Sequence, residues 1–215
     1  MVIEILPTVV PSAFSDVEAT AASYSNFAGI IHVDLADGIF APNTTWMPSE
    51  SSRFDETKWE AHLMVAEPKE LGLACIRAGA SRVIGHVEAM GSGVQDTFDA
   101  WKKKDASEVG LGILFDTALE TLDPYVSLCD VVQMMTIASI GVQGIPFEAS
   151  APERVAALHA KYPDLLISVD GGVSEKNIAE LVHAGARRFC AGSVLSKSMD
   201  PLATYRSLMA LAEKA

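Results

Sequence analysis

Two imidazoles and two carboxylates stand where a divalent ion could be held: His32 and Asp34 in IHVDLADG, His62 in EAHLMV and Asp170 in SVDGG. Each lies at or near the downstream end of a short apolar run that reads as a β-strand. His32 and Asp34 are two apart, so on a strand both point to one face. Imidazole and carboxylate donors suit a divalent metal, and the carboxylates can also move protons. Taken singly, a strand-end His is more often a hydrogen-bonded structural residue, and an Asp before Gly-Gly a turn residue. The set has meaning only if the strands that carry it lie side by side.

The surrounding elements predict that arrangement. Strand-like runs fall near residues 2–8, 29–34, 58–63, 81–86, 109–114, 130–135, 165–169 and 187–191. Many are continuously apolar, as strands covered on both faces must be. Helical patterns separate most of them, including Asp16 to Phe27 with Ser15 as N-cap, and a segment from Pro68 to a stop at Ala78-Gly79. That Ala-Gly-Ala exit into a strand recurs in AGASRVIG (78–85) and AGARRFCAG (184–192). Strands alternating with helices in this number predict an α/β fold, a single (β/α)8 TIM barrel forming one domain over residues 1–215. An open doubly wound sheet is the alternative, but strand 1 runs into Pro7-Thr8-Val9-Val10-Pro11 and not into a Gly-rich turn. In a barrel the strand ends converge on the face where active sites form. The long connection from Leu35 to about Pro48 then crosses that face as a candidate lid or pocket wall, with Ile39, Phe40, Trp46 and Met47 expected to be covered.

Bulk properties exclude several classes. The chain has 215 residues, 49% hydrophobic and 20% charged, with a formal net charge of −12. That charge argues against nucleic-acid partners and an anionic membrane surface, while backbone N–H groups can still hold a phosphate locally. Cys75, Cys129 and Cys190 are odd in number and set in apolar runs, and read as buried, reduced thiols. No Arg-rich leader or bilayer-length apolar stretch is visible, so a cytoplasmic location is expected, with homo-oligomerisation left open. His159 and His183 fall on helices as surface residues, and Trp101 with Lys102, Lys103 and Lys104 reads as a solvated helix end.

A second signal is independent of the first. Gly171-Gly172 follow strand 7, and Gly192-Ser193 follow strand 8. Loops at those positions form the recurrent phosphate site of such barrels, because glycine admits close backbone approach and Ser193 adds a hydroxyl. A phosphorylated small molecule is therefore the expected substrate.

In order along the chain, IHVDLADGIFAPN, EAHLMV, VIGHVEA, VQMMT, ISVDGGV and AGS resemble the ribulose-phosphate 3-epimerase family, from Leu6-Pro7-Thr8 to about Ser193. The resemblance implies one divalent metal (Zn, Mn, Fe or Co) on His32, Asp34, His62 and Asp170, with Asp34 and Asp170 as the acid–base pair. It further implies that Thr8 supplies a hydroxyl in place of the family's Ser, and that Met64 and Met135 belong to an apolar wall over the intermediate. The implied reaction is epimerisation at C3 of a ketose phosphate, D-ribulose 5-phosphate to D-xylulose 5-phosphate.

Departures from the family pattern lie around that centre. Ala36 stands where Met is usual, opening a gap in the wall, and Ile39 where His is usual. After strand 6, MTIASIGVQGIPF replaces a run close to MTVNPGFGGQ and keeps Gly141 and Gly144 as backbone-donor candidates. After strand 5, Phe115-Asp116 replace an Asn-Pro pair. These changes keep open a 3-epimerase for another ketose phosphate, such as a hexulose 6-phosphate, and a non-catalytic sugar-phosphate-binding barrel. A decarboxylase or Schiff-base aldolase would want a strand-end Lys, and none of the strand ends carries one. His86 and Glu88 match the family's H-V-E-A segment and have either a site role or a strand-end hydrogen bond.

Overall fold

The computed structural model describes residues 2–49, 52–54, 57–142 and 144–215. Eight strands pair in parallel, each with the next in sequence, and β8 returns to β1 to close the barrel. They are β1 (Glu4–Val9), β2 (Ile30–Ala36), β3 (Lys58–Met64), β4 (Arg82–His86), β5 (Glu108–Ile113), β6 (Val131–Met135), β7 (Leu166–Asp170) and β8 (Arg188–Ala191). The helices are α1 (Phe14–Tyr24), α2 (Pro68–Arg77), α3 (Val87–Met90), α4 (Val94–Lys102), α5 (Ala151–Lys161), α6 (Ile178–His183), α7 (Ser193–Ser196) and α8 (Pro201–Lys214). Two 3-10 turns, Leu119–Leu122 and Val126–Leu128, stand in the β5–β6 connection in place of an α-helix.

Strand periodicity divides each strand between two environments. On β2, Ile31, Val33 and Leu35 pack outward into the main core, while His32 and Asp34 point into the barrel. On β3, Trp59, Ala61 and Leu63 do the same, leaving Glu60 and His62 inside. Register then aligns the functional positions: His32 lies opposite Glu60, Asp34 opposite His62, and Asp170 opposite Met135.

The repeated Ala-Gly-Ala exits have a common physical basis. Gly79 and Gly185 take φ of 105° and 116°, a left-handed conformation that glycine adopts without steric cost. Ala80 N–H then reaches Cys75 O and Gly79 N–H reaches Ile76 O. Ala186 to Leu181 and Gly185 to Val182 repeat the pattern. These paired bonds satisfy the last carbonyls of α2 and α6 and aim the chain into the following strand.

Several expectations are corrected. Helix α1 starts at Phe14 with Ala13, not Ser15, at the N-cap, because the Asp16 carboxylate accepts the N–H groups of Ser12 and Ala13. Cys129 is half-buried, its thiol donating to Val126 O, and His159 is half-buried beneath Gly185; His183 is exposed as expected. Trp101 is fully buried, not solvated. Its indole packs on Gly72 of α2 and donates from Nε1 to Lys69 O at 3.0 Å, while Lys102, Lys103 and Lys104 stay exposed. A Cβ on Gly72 would fall 2.3 Å from the Trp101 ring. Gly72→Ala is therefore expected to cost about 1–3 kcal/mol, read as a lower midpoint in urea with unchanged slope.

Candidate active site

The four residues meet inside the C-terminal mouth of the barrel. His32 Nε2 lies 3.2 Å from Asp34 Oδ1 and 3.8 Å from Asp170 Oδ2. His62 Nδ1 lies 2.8 Å from Asp34 Oδ1 and 3.3 Å from Asp170 Oδ2. One donor atom from each residue falls within 4.8 Å of all the others. Four ligand atoms placed tetrahedrally at metal-bonding distance would be about 3.4 Å apart. The spacing fits one ion.

The outer partners of the two rings decide which atoms face that centre. His32 Nδ1 lies 2.8 Å from Glu60 Oε1, which can only accept, so Nδ1 carries the hydrogen and Nε2 presents a lone pair. His86 Nδ1 lies 3.3 Å from Glu88 Oε2, which leaves His86 Nε2 as an acceptor. His62 Nε2, 2.9 Å away, must donate to it, so His62 Nδ1 also turns a lone pair inward. Glu88 is anchored in turn by the N–H of Leu114. Neutral rings held this way point two lone pairs at two carboxylates, an arrangement that needs a cation at its centre or protons in its stead. Carboxylate-backed imidazoles of this kind are the usual support of metal-binding histidines.

Protons on His32 Nε2 and His62 Nδ1 can take the cation's place, and the titration shifts belong to that protonated arrangement. Burial raises Asp34, but hydrogen bonds from His32 and His62 outweigh it and hold the carboxyl well below the usual carboxylate range. Burial pushes both imidazoles down, and the acidic groups around them reverse this and carry them above the ordinary histidine value. Burial, with the His62 ring beside it, keeps His86 low and neutral despite Glu88. Cys190, at the floor of the site, is pushed up to about 12 by burial and stays a thiol.

A cleft opens above the centre. Asp34, Asp170, Thr8, Met64 and Met135 line it, together with Gly141, Gly144, Gly171, Gly172, Gly192 and Ser193. All the positions expected from sequence to contact a sugar phosphate therefore share one cavity. Gly171 and Gly172 both have positive φ, and a Cβ on Gly172 would meet the Phe147 backbone at 3.1 Å.

The apolar wall differs from the expectation at Ala36. No gap opens there: Ala36 is fully buried with Ala41, Met64, Met135, Ile137 and Ile140, and Phe40 packs on the same cluster. The loops after β2 and β6 thus fill the space that a longer side chain would have occupied. Asp37 holds the first of these loops, accepting N–H groups from Ile39, Phe40 and Ala66. Trp46 and Met47 are half-buried against the main core, and so are covered as expected. Ile39, expected to be covered, is 80% exposed. Within VQGIPF, Gln143 lies outside the described residues.

Sequence reasoning leaves Glu60, Gln133, Ile137 and Cys190 unassigned. Gln133, buried on β6, reaches Asp170 Oδ2 at 3.4 Å. Only Glu60 carries a readable signal, since it stands two residues before His62 and so shares its face.

Comparison with known proteins bears on identity. The profile of the ribulose-phosphate 3 epimerase family matches residues 4–196. The cytoplasmic isoform of ribulose-phosphate 3-epimerase from Oryza sativa subsp. japonica is 31% identical over 204 residues, covering 92% of this chain and 89% of the relative. Ribulose-phosphate 3-epimerase from Schizosaccharomyces pombe is 31% identical over 205 residues, covering 92% and 89%. Among solved structures, a ligand complex of KGPDC from Streptococcus mutans superposes with a TM-score of 0.78 at 13% identity, covering 100% of this chain and 99% of that one. 3-Hexulose-6-phosphate synthase from Salmonella typhimurium gives 0.73 at 11% identity, covering 99% of each chain. At that identity those two structures share the barrel and no more. The profile match and the two sequence relatives reach further along the chain's own residues, and on that ground the chain belongs to the ribulose-phosphate 3 epimerase family, a family of isomerases acting on carbohydrates.

Proposed function

We propose that this protein is a metal-dependent 3-epimerase of a ketose phosphate, interconverting D-ribulose 5-phosphate and D-xylulose 5-phosphate, and that residues 1–215 work as one barrel domain. One observation carries the reading. Asp34 and Asp170 rise from β2 and β7, strands with β1 and β8 between them, and both line the cleft while sharing the same two imidazoles. Inverting a carbon beside a ketone needs one base to take its proton and one acid to return a proton to the opposite face. Two carboxylates on a planar enediolate do this without turning the intermediate over.

The residues divide the work. His32, Asp34, His62 and Asp170 would hold the ion, whose Lewis acidity stabilises charge developing on the ketone oxygen. Asp34 and Asp170 move the proton at C3. Asp34, its carboxyl held well below the usual carboxylate range, is ionised and so able to accept a proton. Met64, Met135 and Ile137 supply an apolar wall that keeps water from reprotonating the intermediate at random. Backbone N–H groups of Gly171-Gly172 and Gly192-Ser193, with Gly141, Gly144 and the Thr8 hydroxyl, receive the phosphate and sugar oxygens. A cytoplasmic setting belongs to the same reading; it is the compartment in the name of the rice relative, and no described helix is long and apolar enough to cross a membrane.

The test is deuterium exchange from solvent into C3 of D-ribulose 5-phosphate, with metal content measured on the same sample. Exchange with formation of the xylulose epimer is expected. Exchange with a hexulose 6-phosphate and none with the pentulose would keep the chemistry and replace the substrate. No exchange with any ketose phosphate, in metal-replete protein, would leave only a binding barrel.

The phosphate end has its own variant. Because a Cβ at Gly172 would press on the Phe147 backbone, Gly172→Ala shifts the loops that close over the phosphate. KM for the sugar phosphate is expected to rise about tenfold with metal content unchanged, the loss of roughly one charge-assisted hydrogen bond. Parallel loss of metal would show that the change acts on the fold and not on the phosphate.

A further inference from the structure

Arg188 starts β8 inside the barrel, at the end opposite the cleft, and is 1% exposed. Its Nε donates to Glu4 at 2.7 Å, its Nη1 to Glu60 Oε2 at 3.1 Å, and its Nη1 and Nη2 together grip Glu108. Arg82 joins the group through a two-point contact on Glu4. Buried charge clusters are weak stabilising devices, since apolar side chains of similar volume often serve as well. The geometry supplies another reason for this one.

Glu60 divides its two oxygens between the two ends of the barrel. Oε2 accepts from Arg188, and Oε1 accepts the Nδ1 hydrogen of His32 at 2.8 Å. The same Nδ1 has a competing neighbour, the Cys190 sulfur at 3.5 Å. If Glu60 swung away, that ring could take the other tautomer, accept from the thiol, and point Nε2–H at the carboxylates. A ring in that state cannot ligate through Nε2. We propose that Arg188 is a positioning residue for the metal centre: by fixing the Glu60 carboxylate it keeps the His32 hydrogen on Nδ1 and the Nε2 lone pair turned towards Asp34 and Asp170. Sequence proximity gives no hint of this, because Arg188 and Glu60 are 128 residues apart.

The inference rests on the four-residue set being a metal site, and the test separates the two. Co²⁺ affinity is measured by chelator competition, with the visible cobalt spectrum as a record of ligand geometry and no substrate present. Arg188→Met is expected to weaken Co²⁺ binding about tenfold and Glu60→Gln about ten- to a hundredfold, as supporting partners of metal ligands do. The double variant should bind no worse than Glu60→Gln alone, and Arg188→Met should alter the cobalt spectrum in the same sense as Glu60→Gln. Wild-type affinity in Arg188→Met, or losses that multiply in the double variant, would overturn the proposal, since a purely structural arginine would act independently of Glu60. Should Arg188→Met not fold, Arg188→Met in a Glu4→Gln/Glu108→Gln background removes the charge of the two carboxylates it orphans besides Glu60. Compared with that background, the same tenfold loss is expected, and unchanged affinity overturns the idea. Wild-type protein that takes up no Co²⁺ would sink the metal reading and this inference together; uptake that is indifferent to Arg188 sinks this inference alone.

Discussion

Asp170→Asn is expected to lower epimerisation by about three to four orders of magnitude while the barrel stays folded, because one face of the substrate loses its proton donor or acceptor. Asn keeps the size of the side chain, and Thr136 bonds the main-chain carbonyls of Asp170 and Gly171, which the substitution leaves in place. Asp34→Asn should be at least as severe, since it also removes the charge facing both His32 and His62. The two variants need not match in one respect. Each retains a single base, so each should still exchange deuterium into one epimer, and into opposite ones. Turnover, exchange into each epimer and metal content must be read on the same samples, because loss of the ion would mimic loss of the base. Metal-replete Asp170→Asn with near-normal turnover would end the two-carboxylate mechanism.

Stripping the metal is expected to abolish turnover, with recovery on adding about one equivalent of Zn²⁺, Mn²⁺, Fe²⁺ or Co²⁺. The reason is local electrostatics: two lone pairs and two carboxylates converge on one point, and without a cation the ketone oxygen has no positive partner as charge develops on it. His62→Ala should reproduce the loss at ordinary metal concentration, and only in part be rescued by excess ion, because it removes a ligand and leaves His86 without its donor. Far-ultraviolet circular dichroism should be unchanged by either treatment, since the barrel's strand ladders do not pass through these side chains. Chelated protein, verified free of metal and still fully active, would show that the carboxylates and imidazoles work alone.

Much of this site is legible in the chain alone. His32 and Asp34, spaced by two at a strand end, have to share a face, and the apolar runs around them have to be strands covered on both sides. The Ala-Gly-Ala helix exits are readable because glycine's left-handed conformation is a local property. Short-range patterns of this kind survive in the sequence itself, as does the glycine pairing after β7 and β8 that lines the cleft.

Other features arise only when the barrel closes. Closure brings β8 beside β1, and so Arg188 beside Glu4 and across the interior from Glu60. Period and composition cannot say which interior side chains face one another, because that depends on register and shear around all eight strands. Trp101 reads as solvated beside three lysines, yet a glycine one helix away makes room for its ring. Ala36 reads as a hole in the wall, yet two loops from different strands fill it. In each case the deciding contact joins residues far apart in sequence, and its energy comes from packing or pairing that exists only in the folded barrel.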